Sequence, residues 1–207
     1  ENSLKVTVKF LKTGYVTITK SGQVRTGMVM DRVLPSFFGV GYLGEQQVDK
    51  LCYPIWQGML GRCYSEKRRY YYYTYQDCVV SETFQNFTNF YKWCNNQIGF
   101  NERDGENKPF ELDKDLLFKG SKVYSEDTCV FLPRLVNQAL TTQKHKKSGL
   151  PSGVYRRPLV KTNIYQSTLT RYGILHILCK SDSIEECFLV YKREKESYLK
   201  ELAEMFK

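Results

Sequence analysis

A carboxylate pair brackets a lysine at Asp113, Lys114 and Asp115, and an amide follows at Asn137, all within the stretch from Leu112 to Leu140. A carboxylate and an amide so placed can hold a divalent ion such as Mg2+, which polarises a phosphodiester and activates water. In that reading Asp113 and Asn137 are the metal ligands, and Asp113, Lys114 and Asn137 form the catalytic set. The same residues serve equally as scaffold, the remains of such a centre. A second kind of chemistry lies downstream. Between Asp127 and Asp182 there is no acidic residue, whereas Arg134, Lys144, Lys146, Lys147, Arg156, Arg157, Lys161, Arg171 and Lys180 fall there with both histidines, His145 and His176. The formal net charge is +9, and charge of one sign gathered in one region is the footprint of a polyanion binder. A solvated loop accounts for Lys144–Lys147. From Arg156 to Lys180 the charges sit among apolar and aromatic residues, where a solvated loop fits less well.

The seven cysteines are odd in number, irregularly spaced and contain no CxxC pair. This argues against a zinc ribbon and against a disulfide framework, and favours buried, reduced thiols. No run of 18 apolar residues occurs, so no transmembrane helix is expected. The opening ENSLKVTVKF lacks the basic-then-apolar pattern of a secretory leader, and the expected location is the cytoplasm.

The elements that must position these groups are legible from periodicity. Val6, Val8 and Phe10, then Val16 and Ile18, alternate with polar residues and predict two strands, with Val24 to Met30 as a candidate third. Residues 46–63 carry apolar side chains at three- and four-residue spacing and predict a helix, with Pro54 implying a kink or a late start. The run KRRYYYYTYQD reads as an amphipathic loop and strand with its tyrosines packed on alternate faces. The alternative is a basic-aromatic nucleic-acid surface. Val79-Val80 reads as a short strand, and Ser81 as the cap of a helix bearing Phe84, Phe87, Tyr91 and Cys94 on one stripe. Cys129 to Leu132 is a strand and Pro133 opens a helix that contains Asn137. After the linker TTQKHKKSG come about three short strands with turns near Pro158, Asn163 and Gly173. A long C-terminal helix with a Ser183/Glu186 capping box follows.

Three blocks carry a resemblance. VKFLKTGY, GMVMD and GVGYLGE resemble the small β leader of phage and prophage proteins related to HNH homing endonucleases. WQGMLGRCY, CVVSETFQNFTNFYKW, LDKDLLFKG and YSEDTCVFLP resemble their HNH core in degenerate form, in the expected order. SGVY together with IEECFLVYKREKESYLKELAEMF is similar to the DNA-binding domain of plant ethylene-response factors (the APETALA-like type), which is also found appended to phage endonucleases. The resemblance implies an α+β fold with a small β unit at residues 1–45 and an HNH-like (His-Me finger) ββα core with flanking helices at 46–142. It implies a DNA-binding domain at 143–207, a three-stranded antiparallel sheet covered by one long helix. By position, Asp113 matches the metal-side aspartate, Lys114 the general-base histidine, Thr128 the central asparagine and Asn137 the helical ligand. Two flanking carboxylates favour the charged ammonium of Lys114, which makes it a poor base.

The leading expectation is therefore a phage-type protein that binds double-stranded DNA in a bacterial host cell, with nuclease activity lost and no cofactor. Its DNA contacts are expected from Lys144, Lys146, Lys147, Tyr155, Arg156, Arg157, Lys161, Tyr165, Arg171 and His176. The alternatives are an active Mg-dependent HNH-family endonuclease or nickase, and a module that targets a host or phage protein.

Overall fold

The computed structural model describes residues 4–71, 73–140 and 149–206. Helix and sheet are mixed, and the chain divides into two compact units. One comprises Glu1–Asn101 with Leu112–Phe131, the other Glu102–Glu111 with Leu132–Lys207.

The first unit begins with a hairpin of β1 (Lys5–Lys9) and β2 (Val16–Lys20), antiparallel, with Val8 opposite Thr17. The candidate third strand is not formed. Instead the chain coils into a helical turn, α1 (Ser21–Arg25), and leaves it through Gly27 at φ +66°. Local bonds compete with the sheet here: Thr26 Oγ1 donates to the Gly22 carbonyl at 3.0 Å, and the Lys20 amide donates to Gln23 Oε1 at 3.4 Å. Helix α2 (Cys52–Tyr64) starts later than the apolar spacing suggests. Asp49 Oδ1 accepts the amides of Leu51 and Cys52 at 2.7 and 2.6 Å, which fixes the start. Pro54 then falls in the first turn, where its missing N–H removes no helical bond.

The tyrosine run is not a strand. It forms α3 (Glu66–Tyr71) and a 3-10 turn at Tyr73–Tyr75, with Tyr70 and Tyr71 largely exposed. Glu66 in the first turn and Arg68 and Arg69 in the last suit the helix dipole. Strand β3 (Val79–Val80) follows, then α4 (Glu82–Gln85) and α5 (Phe87–Asn95). The expected single helix breaks because two residues cap in succession. Ser81 Oγ accepts the Phe84 amide, and Asn86 Oδ1 accepts the Thr88 amide at 2.9 Å. Trp56, Met59 and Leu60 from α2 form the core with Phe84, Phe87 and Phe90, all fully buried. The Trp56 indole donates to the Phe84 carbonyl at 2.7 Å, so the largest core side chain satisfies its one polar atom. Strand β4 (Glu111–Asp113) pairs with β6 (Val130–Leu132), and β5 (Val123–Tyr124) runs parallel to β3.

The second unit holds α6 (Arg134–Leu140), then β7 (Val154–Arg156), β8 (Tyr165–Arg171) and β9 (Ile174–Ser181), and α7 (Ile184–Met205). The three strands form an antiparallel sheet in the order β7-β8-β9. Helix α7 covers one face. Tyr198 and Leu202 on α7 close a small core with Leu169 of β8 and Ala139 of α6, joined at its margin by Leu135, Leu178 and Tyr191. Ser183 caps the helix by accepting the Glu186 amide at 3.2 Å. The Glu186 carboxylate takes the hydroxyl of Ser181. At Gly153, φ is +77° and a Cβ would stand 2.2 Å from the Tyr191 ring. Strand β7 can lie this close to α7 because the residue there is glycine.

All seven cysteines are unbridged and only Cys179 is partly exposed, as their spacing suggests. Among the described residues no helix is long and apolar enough to cross a membrane.

Candidate nucleic-acid interface

Side chains alternate across a strand, so one face of the C-terminal sheet can be read from the other. The inner face is fixed by contacts with α7. Leu169 belongs to the core, Val154 and Ser167 are buried opposite each other, and Arg171 pairs with Glu201 of α7 and lies over the Tyr198 ring. The outer face is then Tyr155, Gln166 and Lys180 in one row, Thr168 with Ile177 in the next, and Thr170 with Leu175 in the third. The register shifts by one residue between Ser167 and Thr168. Leu178 is the extra residue, and it packs towards the core. This bulge turns Ile177 outward, so that it shares a face with Lys180, three residues on. Leu175 and Ile177 are 64 % and 56 % exposed, a large apolar exposure on adjacent rows of one sheet face.

Charge is sorted across this sheet. From Leu132 to the end of the chain the acidic residues are Asp182 and those of α7, which packs on the inner side. Glu201 is engaged there by the Tyr172 hydroxyl at 2.6 Å and by Arg171. Those bonds, the tyrosine's first, hold its carboxyl below the usual range. Asp182 Oδ1 accepts the Ile164 amide at 3.0 Å and caps the end of the sheet. The strands themselves carry cations and no carboxylate.

The sequence-predicted DNA contacts fall into distinct settings. Lys144, Lys146 and Lys147 lie outside the described residues. Tyr155 is on the outer face. Arg156 and Tyr165 are cross-strand partners at the end of the sheet, on the same side as Val154 and Ser167, and Arg156 is exposed there. Arg157 braces the β7–β8 connection: its amide donates to the Ile164 carbonyl at 2.7 Å and its guanidinium to the Asn163 carbonyl at 2.9 Å. Lys161 is exposed in the same connection. Arg171 is held by Glu201 and Tyr198 against α7. His176 is exposed on the edge strand, opposite Leu169. Gln166, Thr168, Thr170, Leu175 and Ile177 join the outer face without having been singled out by type, and with them Lys180, named above only as part of the basic interval. Alternation counted along β9 alone puts Leu178 with Lys180, and the bulge has no sequence signature to correct it.

The Asp113–Asn137 set is committed to local structure. Asp113 Oδ1 accepts the amides of Asp115 and Leu116, each at 2.8 Å, and so closes the turn after β4. Lys114 is buried at 6 % exposure, and its ammonium donates to Asp115 Oδ1 at 2.8 Å and to the Ser121 carbonyl at 2.5 Å. The Tyr124 ring lies 5.8 Å beneath it. Thr128 Oγ1 donates to the Val123 carbonyl at 2.8 Å and accepts the Ser125 amide at 3.1 Å, a turn-closing role. Asp113 and Lys114 belong to the first unit and Asn137 to the second, where its amide donates to Glu111 Oε2 at 2.9 Å. Among the described residues no group of three or more His, Cys, Asp or Glu side chains could hold a metal ion. Around Lys114 the thiols of Cys63 and Cys129 are pushed up to about 12 and about 11 by burial, so they stay protonated and inert at neutral pH.

Compared with family models, curated proteins and solved structures, the chain matches none.

Proposed function

We propose that this protein binds double-stranded DNA through the outer face of its C-terminal sheet, and that the Leu112–Leu140 segment is a scaffold derived from an HNH-like nuclease centre. The observation that carries the reading is the sorting of charge. The sheet is free of carboxylates, Arg156, Lys161 and Lys180 are exposed around it, and from Leu132 onward every acid but Asp182 belongs to the helix behind it. Three strands spaced about 4.8 Å apart present a surface roughly 10 Å wide, which suits a major groove about 12 Å across. Exposed cations at its margin would neutralise phosphates and release counterions. The fate of Lys114 supports the scaffold half of the reading. At the position of the family's general base stands a buried ammonium with two hydrogen bonds, which has no lone pair to accept a proton.

A salt series tests the first half. Affinity for a random duplex should fall on a log–log plot with a slope of about −4 to −5, as expected for some five neutralised phosphates. A flat plot would sink the proposal. Incubation of supercoiled plasmid with Mg2+ or Mn2+ tests the second half. The expected result is no nicking. Nicking abolished by Asp113→Ala would restore a catalytic role to that residue.

A further inference from the structure

We infer that the outer face of the sheet reads A·T base pairs, with Leu175 and Ile177 recognising thymine through its 5-methyl group. The inference rests on the DNA-binding reading and specifies what the same face selects. The major-groove edges differ in what they ask of a protein. Guanine is read by arginine or lysine, cytosine by a carboxylate, adenine by an asparagine or glutamine amide, and thymine by an apolar contact with its methyl group. Sorted by that code, the face is unbalanced. It has no carboxylate, and its cations stand at one end, where Lys180 shares a row with Tyr155 and Gln166. The rows beyond are Thr168 with Ile177 and Thr170 with Leu175; Thr168 is itself buried, so they offer two aliphatic side chains and the Thr170 hydroxyl.

Leu175 and Ile177 are the parts of this face that burial in the protein leaves unexplained. They are 64 % and 56 % exposed, and among the described residues neither belongs to the buried core or packs at its margin. The bulge at Leu178 is what puts both on the same face as Lys180. Two residues along a strand span about 6.7 Å, close to two steps of a DNA strand at about 3.4 Å each. Gln166 continues the same file two residues beyond Thr168 and supplies the one amide suited to adenine. With Lys180 at the end of the face left to a phosphate, the occupant that satisfies the rest is a duplex rich in A·T pairs, entered from the major groove. Reading from the minor groove would leave the methyl contacts unused, because thymine shows no methyl there.

The experiment compares three duplexes of equal length at one salt concentration, with binding to the full chain followed by fluorescence anisotropy. One duplex is A·T-rich, the second is identical with uracil in place of every thymine, and the third is G·C-rich. Uracil removes the methyl group and leaves the pairing unchanged. The thymine duplex should bind more tightly than the uracil duplex by about fourfold for each methyl engaged. In Leu175→Ser/Ile177→Ser that difference should vanish while salt-dependent binding persists, since both side chains are mostly exposed and the fold does not depend on them. Gln166→Ala should narrow the gap between the A·T-rich and G·C-rich duplexes. Equal binding of thymine and uracil duplexes by the unmodified chain would overturn the inference and leave DNA binding standing. So would a thymine preference that survives the double substitution. Failure to bind any of the three would overturn the DNA-binding reading itself.

Discussion

Lys114 and Lys180 carry the same charge in opposite circumstances. Lys114, in the first unit, is buried, held by Asp115 and Ser121, and set over an aromatic ring. Lys180, in the second, stands exposed at the end of a sheet that bears no carboxylate. The contrast extends to the regions around them. In the first unit the residues that suggest chemistry, Asp113, Lys114 and Thr128, have their polar atoms spent on turns. In the second unit Arg171 is spent in the same way, against Glu201, while Arg156, Lys161 and Lys180 are left to solvent. A residue type with catalytic potential says little until its hydrogen bonds are counted. An exposed cation on a surface without acids keeps its long-range field whatever its exact rotamer.

The largest test of the contrast is on binding. Lys161→Glu/Lys180→Glu should weaken duplex affinity by about a hundredfold near 100 mM salt and flatten the salt slope, since each reversal removes one phosphate contact and adds a repulsion. Lys114→Met should leave affinity within about twofold. A comparable loss from Lys114→Met would erase the distinction between the two lysines. Stability should respond the other way round. Lys114→Met removes charged hydrogen bonds and leaves the Ser121 carbonyl unpaired, at a cost of about 2 kcal/mol. Lys180→Met should stay within about 0.5 kcal/mol. Both tryptophans, Trp56 and Trp93, belong to the first unit, so indole fluorescence in urea follows that unit specifically.

Alkali should weaken the first unit through its thiols. Burial raises Cys63 from 9.0 to about 12 and Cys129 from 9.0 to about 11. A group whose folded pKa lies above its unfolded value keeps its contribution below the unfolded value and loses it as pH rises through the folded one. Stability read by indole fluorescence should therefore decline from about pH 9 towards pH 11–12, and Cys63→Ala should flatten part of that decline. An unchanged slope in the variant would show that Cys63 does not govern it. The smallest effect belongs to Glu201. Its carboxyl is held below the ordinary range, first by the Tyr172 hydroxyl and then by Arg171. The stabilisation is present above the unfolded value and fades as the pH falls through the folded one. Tyr172→Phe should raise the titration midpoint of Glu201 measured by NMR, and no change would mean that the hydroxyl contributes nothing.

Much of this architecture is legible in the chain itself, and the exceptions have local causes. Helix α7 and the three strands before it follow from periodicity and from the Ser183 cap. The hairpin of β1 and β2 follows from strict alternation around Gly14. The break between α4 and α5 was hidden because Asn86 sits inside an unbroken apolar stripe, and only its side-chain bond to the Thr88 amide reveals it as a cap. The run from Tyr70 reads as a loop and strand with tyrosines packed on alternate faces, yet Tyr70 and Tyr71 end α3 exposed, after a first turn bearing Glu66. The site was legible in composition and opaque in orientation. An acid-free basic interval is visible in any reading of the sequence, but which β9 residues share a face depends on Leu178, where one extra residue reverses the count.

That extra residue has an effect beyond aiming Ile177. Strand β9 is an edge of its sheet, and its row of amides and carbonyls, with aliphatic side chains at Ile174, Leu175 and Ile177, is the kind of border on which a second chain can add as a further strand. A visiting strand can extend such a ladder if the border is regular. At Leu178 it is not: the repeat slips, the twist tightens, and a straight strand that pairs on one side of the slip falls out of phase on the other. The same irregularity thus makes this edge a poor template for a further strand.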